Sequence, residues 1–349
     1  MQSGPAEAHG SRLLANFAPP RSNEVGAGWD SSVDLRLVDS TTGSQVWSTR
    51  FDLPNLNGSF EASRRLRKLV SLLSGAIQSA EARRILALPL EKLNAMELTL
   101  RGWSVFWDSS HTLAATLEAQ KLFAIALRLD QNLVLALAYQ CLNWESLNDV
   151  DPNIDRARML QQVDELSLRA INLDPTDPFA WYVRAGALAD AGRWSAALEA
   201  NAKMIRLDPF SRVAYEQRAW TINMTGRPAE ALPIVNHAIL LDSDDPGWSL
   251  RVACEAQMLL GRNDDAITTC EKAAGTTSDW LVTSFLVAAY ANRGDADKAV
   301  AARDQMLRIV LGYTIAQLKA KHYSDVPRYV RMAEATWYAG LRKAGIPEK

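Results

Sequence analysis

Residues 173–242 read LDPTDPFAWYVRAGALADAGRWSAALEANAKMIRLDPFSRVAYEQRAWTINMTGRPAEALPIVNHAILLD. The stretch states one pattern twice. Asp174, Asp208 and Asp242 lie 34 residues apart, and between them Trp181 recurs as Tyr215, Ala185 as Ala219, Gly192 as Gly226 and Ala197 as Ala231. Each period holds two blocks of helically spaced apolar residues, separated by the glycine. A fixed period of this length with two amphipathic helices per unit predicts a solenoid, in which each unit buries its apolar face only against its neighbours. Small residues recur where backbones must approach, and large ones fill the space between them. Pro175 and Pro209 cannot continue a helix, so each fixes the turn into the next unit.

The pattern extends in both directions. A fifth unit runs from Trp248 through Cys254, Gly261 and Ala266 to Ala273, and a sixth from Leu281 through Tyr290, Gly294 and Ala299 to Met306. The four glycines each end a first helix, where a left-handed cap needs no Cβ. Upstream, residues 90–109 and 113–132 read as a further helical pair ending at Asp130. From Asp130 to Asp174 is 44 residues, ten beyond the period, and these are assigned to a polar inter-helix loop in ESLNDVDPNIDRA, residues 145–157. After Gly312 the period stops. Residues 313–349, with Lys319, Lys321, Arg328, Arg331, Arg342 and Lys343, read as capping helices whose polar outer face prevents end-to-end stacking.

Ahead of the array, residues 1–30 show no period and are expected to be flexible. In residues 31–90, Val33, Leu35 and Leu37, then Val46, Trp47 and Phe51, flank Thr41, Thr42 and Gly43, which predicts a β-hairpin. A helix over about 60–87, with Leu66, Leu69, Val70, Leu73, Ile77 and Ala80 on one face and Pro89 closing it, would support the two strands. The fold class expected is therefore all-α: a right-handed superhelical solenoid of about six helical pairs over 91–312, with a small N-terminal hairpin-plus-helix remnant.

Composition narrows the function. Lys plus Arg is 38 and Asp plus Glu is 40, so no net field draws the chain to nucleic acid or an anionic membrane. The densest basic run, Arg64, Arg65, Arg67 and Lys68, lacks interleaved aromatics and reads as a solvated helix face. No stretch approaches the length of a membrane helix. His9, His111, His237 and His322 lie in separate segments, and Asp244 and Asp245 before Pro246 read as a helix start, so no metal, cofactor or catalytic constellation is expected. Cys141, Cys254 and Cys270 form no CxxC pair; their sparse, odd number fits a reducing compartment, with cysteines as small hydrophobes, although Cys254 and Cys270 fall in the two helices of one unit. A non-catalytic cytoplasmic protein is the expectation.

These residues resemble the tetratricopeptide repeat family over about 95–310. Its signature positions run Trp, Leu, Gly, Tyr, Ala, Phe, Ala, Pro. The third unit matches at Trp181, Ala197 and Pro209, with Ala185 as the small residue, and departs at Asn201; the fourth matches at Ala231 and Ala238, with Tyr215 and Val235 as replacements; the sixth carries Arg303 where an aromatic is usual. A second likeness concerns the order of parts. Leu37, Val38, Asp39, Thr42, Gly43, Trp47, Ser48, Arg50, Phe51 and Asp52, followed by the repeats and the ending GLRKAGIPE (residues 340–348), resemble bacterial proteins in which a TolB-like domain precedes such repeats, behind an adenylate cyclase or winged-helix domain. The elements that precede the hairpin in that family are missing.

The family resemblance implies a concave face lined by first helices, and register assigns Tyr182, Glu216, Trp220, Asn223, Trp248, Arg251, Glu255, Met258 and Asn292 to it. Trp and Arg are common interface anchors. A protein or peptide partner is expected there, with no small-molecule substrate. The alternative, carried by the second likeness, is the regulatory region of a split or truncated cyclase or winged-helix regulator.

Overall fold

The computed structural model describes residues 11–18, 31–39, 43–53, 69, 73, 77 and 84–349, except 109–111, 152, 243–245, 276–278, 310–311 and 322. The chain divides into two compact units, 1–104 and 105–349. The expected turn residues Thr41 and Thr42, the basic run at 64–68, Asp244 and Asp245, and three of the four histidines lie outside the described residues.

The first unit contains an antiparallel sheet of three strands, β1 (Ser11–Ala18), β2 (Ser31–Asp39) and β3 (Gln45–Leu53), in that order. The hairpin of β2 and β3 was legible; β1 was not, and it falls in a stretch read as flexible. Its sequence SRLLANFA puts Leu13 beside Leu14 and breaks the two-residue alternation that marks a strand. Leu35 and Leu37 of β2 are buried, and Leu37 stands opposite Trp47, beside a register shift at Leu37/Val38.

The unit boundary at Ser104 falls within α1 (Ala95–Asp108). The second unit is all-α. Helix α2 (Leu113–Leu129) packs on α3 (Val134–Val150), and consecutive pairs follow: α3 with α4 (Arg156–Leu173), α5 (Pro178–Asp190) with α6 (Trp194–Leu207), α7 (Arg212–Met224) with α8 (Pro228–Leu241), α9 (Gly247–Leu259) with α10 (Asn263–Ala274), and α11 (Trp280–Arg293) with α12 (Ala296–Ile309). Each pair also packs on the next, which is the tandem helical array of a tetratricopeptide solenoid.

The repeating residues have local physical reasons. Asp130, Asp174 and Asp208 each accept a hydrogen bond from the backbone N–H two residues on, at 3.0, 2.8 and 3.2 Å, making the turn that separates units. Asp177, Ser211 and Asp279 cap the helix that follows through their side chains. Gly192, Gly226, Gly261 and Gly294 all take positive φ, as the cap requires. Trp181 and Tyr215 aim their polar tips at the carbonyls of Pro175 and Pro209, at 2.9 and 3.0 Å, so the aromatic ties its own turn to its helix.

Two expectations need correction here. The ten extra residues of the second unit do not form a long loop. Helices α3 and α4 are 17 and 18 residues long, against 13 and 14 for α5 and α6, so most of the insertion is helix. Leu147 is buried, and with it the apolar spacing continues past the polar residues that suggested a loop. Second, Cys254 and Cys270 are joined in a disulfide rather than packing as free thiols, while Cys141 is free and buried.

Where the family's aromatic is missing, other contacts replace it. Asn201 is fully buried and donates to Thr221 Oγ1 across the unit boundary at 3.0 Å. Arg303 donates to the Ala344 carbonyl at 2.9 Å, at the end of a C-terminal helix.

Candidate partner-binding groove

The inner face of the array is built from first helices, one or two residues past each buried small position. What the structure places on that face is the chain's own C-terminal segment. After α13 (Ile315–Ala320) the chain runs through Ser324 into α14 (Pro327–Ala333), a π-helical turn (Glu334–Tyr338) and α15 (Ala339–Lys343). This segment crosses the first helices of the fourth, fifth and sixth units. Ser324 Oγ donates to the Met224 carbonyl at 2.6 Å, satisfying one of the open carbonyls at the end of α7. Asn292 of α11 donates to the Thr336 carbonyl at 2.8 Å and accepts from Lys343 Nζ at 3.1 Å. Trp337 is 1% exposed, donates to Ser284 Oγ at 3.2 Å and packs its ring 4.7 Å from Phe285.

Backbone approach is closest at two glycines. A Cβ on Gly340 would lie 2.5 Å from the Ala288 carbonyl oxygen, so α15 sits directly against α11. At Gly226, φ is +72° and a Cβ would meet the Tyr329 nitrogen at 2.7 Å. The end of the chain is pinned as well: Ile315 and Ala316 N–H groups donate to the Pro347 and Glu348 carbonyls, each at 3.0 Å. Arg342 pairs with Glu334 and Glu348 at 2.7 and 2.8 Å, and Lys319 bridges the same two carboxylates at 3.0 and 3.4 Å. These ion pairs lie on the partly exposed side of the segment, while its aromatic side fills a groove that was assigned to a partner.

This arrangement sorts the nine candidate residues. Met258 is fully buried beneath the segment. Asn223 is fully buried and donates to the Val252 carbonyl at 3.1 Å and to Glu255 at 3.5 Å. Glu255 is buried too; loss of solvent pushes its carboxyl up to about 7, against the opposing pull of Arg251 and the Asn223 amide. Glu216 is buried and bonded to Arg212 and Ser249, with Arg212 also 3.6 Å from Asp242. These four, with half-buried Asn292, are engaged by the solenoid and its C-terminal segment. For the polar ones, a side chain on an inner face can serve a neighbouring helix as well as a foreign one; Met258 is covered because apolar surface is buried by whichever helix lies on it.

The other four, like Asn292, keep partial exposure. Tyr182 stacks on Phe179 at 5.9 Å, and its carbonyl accepts from Gln217 at 3.0 Å. Trp220 packs among the third, fourth and fifth units. Arg251 lies 5.9 Å from the Trp248 ring centre and 3.2 Å from Asp279. Counting eleven residues from each repeat-ending aspartate, Cys141 aligns with Ala185 and Ala219, so Leu142 aligns with Gly186 and Trp220, and Leu135 with Phe179. Leu135, Leu142 and Tyr182, all half-buried, continue the inner face upstream of the C-terminal segment. Leu135 and Leu142 were missed, although the count from Asp130 places them in register ahead of the inserted residues.

No family model matches the chain, and no curated protein matches it. Solved structures similar to it include TTC0263, a thermophilic tetratricopeptide protein of Thermus thermophilus (17% identity, 61% of this chain and 99% of that one, TM-score 0.44). PilW, a type IV pilus biogenesis factor, aligns at 13% identity over 65% of this chain and 97% of its own, with a TM-score of 0.49. A tetratricopeptide protein of Parabacteroides merdae aligns at 12% identity over 72% and 97%, with a TM-score of 0.42. Among the described residues, no helix is long and apolar enough to cross a membrane.

Proposed function

We propose that the chain is a non-catalytic interaction scaffold that holds a helical segment of a protein or peptide partner on the upstream inner face, with Leu135, Leu142, Tyr182 and Trp220 as contacts. The observation that supports this reading is the groove's own occupant. The downstream half of the same face accepts residues 323–346 through buried aromatics and side-chain hydrogen bonds, two of them to backbone carbonyls, so a helix with aromatic anchors is the chemistry that this surface fits. Trp248 and Arg251 border the change from covered to uncovered face.

A displayed library of random peptides, selected against the full chain, tests it. Binders should lose about tenfold or more in affinity against the Leu142→Ala/Tyr182→Ala variant at unchanged helicity. Binders indifferent to that variant would remove the inner face from the account. The narrower reading, a regulatory region for a cyclase or winged-helix regulator, rests on the resemblance in residues 37–52, the order of parts and the ending at 340–348; an unrelated neighbouring reading frame would remove most of its support.

A further inference from the structure

We propose that this chain completes its fold and works in an oxidising compartment, with the Cys254–Cys270 disulfide as the permanent staple of its fifth helical pair. The inference is independent of the groove and replaces the cytoplasmic expectation drawn from cysteine number.

The positions of the two cysteines carry it. Cys254 stands at the small position of a first helix, equivalent to Ala185 and Ala219. Cys270 stands at the facing position of the second helix, equivalent to Asn201, Val235 and Arg303. In the other units, that facing side chain reaches across to neighbouring residues: Val235 packs in the fourth-unit cluster, and Asn201 bonds to Thr221. In the fifth unit the contact is covalent. The two Cα atoms are 5.3 Å apart, inside the range that a disulfide spans without backbone movement. Both side chains are 0% exposed. Cys141, at the small position of the second unit, meets Val163 instead and stays a thiol.

Complete burial has two consequences. A reducing thiolate cannot reach either sulfur in the folded chain, so the bond is a structural staple rather than a switch. By the same token, the bond must form before α9 and α10 close. The oxidant is a disulfide of the compartment, carried by a protein or a small thiol. One cysteine thiolate attacks it, giving a mixed disulfide and releasing one oxidant thiol. The second cysteine thiolate then attacks the first cysteine's sulfur, forming the 254–270 bond and releasing the other oxidant thiol. Two electrons and two protons pass from the cysteines to the oxidant. Reducing cytosols oppose this balance, whereas oxidising compartments favour it.

The test counts thiols in cells that naturally make the chain. Cells are quenched in acid, the protein is unfolded without reductant, and a maleimide is added. One label, on Cys141, with a linked 254–270 peptide pair, is expected. Three labels would overturn the proposal. On purified folded protein, millimolar thiol should leave the bond intact until the chain is unfolded; rapid native-state reduction would overturn its role as a staple. The Cys254→Ala/Cys270→Val variant keeps two buried apolar side chains, and its melting temperature should lie several degrees below that of the oxidised chain. Equal melting temperatures would likewise count against the staple.

Discussion

Replacing Trp337 with alanine asks whether the C-terminal segment is truly seated in the groove. The indole is almost wholly buried, tilted against Phe285, stacked on Tyr338 and bonded to Ser284. Truncating a buried Trp costs about 3–5 kcal/mol in lost transfer energy and residual cavity. Ser284 still donates to the Leu281 carbonyl at 2.7 Å, so losing the indole leaves no orphaned hydroxyl to add to that figure. In a solenoid the loss stays close to the altered contact, because each unit is coupled mainly to its neighbours. Amide exchange by opening of the segment should therefore accelerate about a hundred- to a few-thousandfold, at about 1.4 kcal/mol per tenfold. The acceleration should appear in α9, α11 and residues 327–343 and be absent from α3 to α5. Leu240→Ala, at a side chain 62% exposed, is the control and should change stability by less than about 0.5 kcal/mol. Unchanged exchange in α9 and α11, or equal acceleration throughout the array, would refute the reasoning.

Three further outcomes are expected. Glu255 holds its proton in the folded chain up to about pH 7, whereas an unfolded carboxyl releases it near its ordinary value of 4.5. Its contribution to stability is thus complete below that value and is lost as pH rises through 7, and Glu255→Gln should flatten this fall in urea titrations across that window. Gly340→Ala should destabilise by about 1–3 kcal/mol or more in thermal unfolding, since the new methyl meets backbone of α11 rather than a movable side chain. Thr221→Val should cost about 1–3 kcal/mol by leaving the buried Asn201 amide without its acceptor; adding Asn201→Leu should recover most of it, and a denaturant double-mutant cycle reads both.

Much of the array was legible because its punctuation is local. An aspartate that closes a turn two residues ahead, and a glycine that takes positive φ, act within a few residues of themselves and recur at the period. The resemblance to tetratricopeptide repeats rested on other positions of the same period, such as Trp181, Ala197, Pro209 and Ala231, and the packing agrees with it. What the sequence hid were choices made over long separations. The Ser324–Met224 bond spans 100 residues, and nothing in the inner-face pattern of Ser284, Ala288 and Asn292 says whether the helix against them belongs to the same chain. A usable signal lay in the C-terminal segment. YVRMAEATWYAGL, residues 329–341, carries too many aromatics for a solvated cap, and a glycine inside a helix suggests close packing. The ending GLRKAGIPE also has a physical reading: Gly340 lets α15 touch α11, Leu341 and Ile346 enter the core, and Arg342 pairs with Glu348. Likewise the disulfide was not the reading that spacing favoured, since two cysteines in one helical pair with no CxxC motif read first as small core residues.

Both halves of the groove can be interrogated at once with a photo-crosslinking amino acid, installed singly at position 182 or 258 of the full chain in living cells. The account predicts that the probe at 182 captures a foreign polypeptide, while the probe at 258 captures only the chain's own residues 323–346. Foreign capture at 258, or none but self-capture at 182, would contradict it.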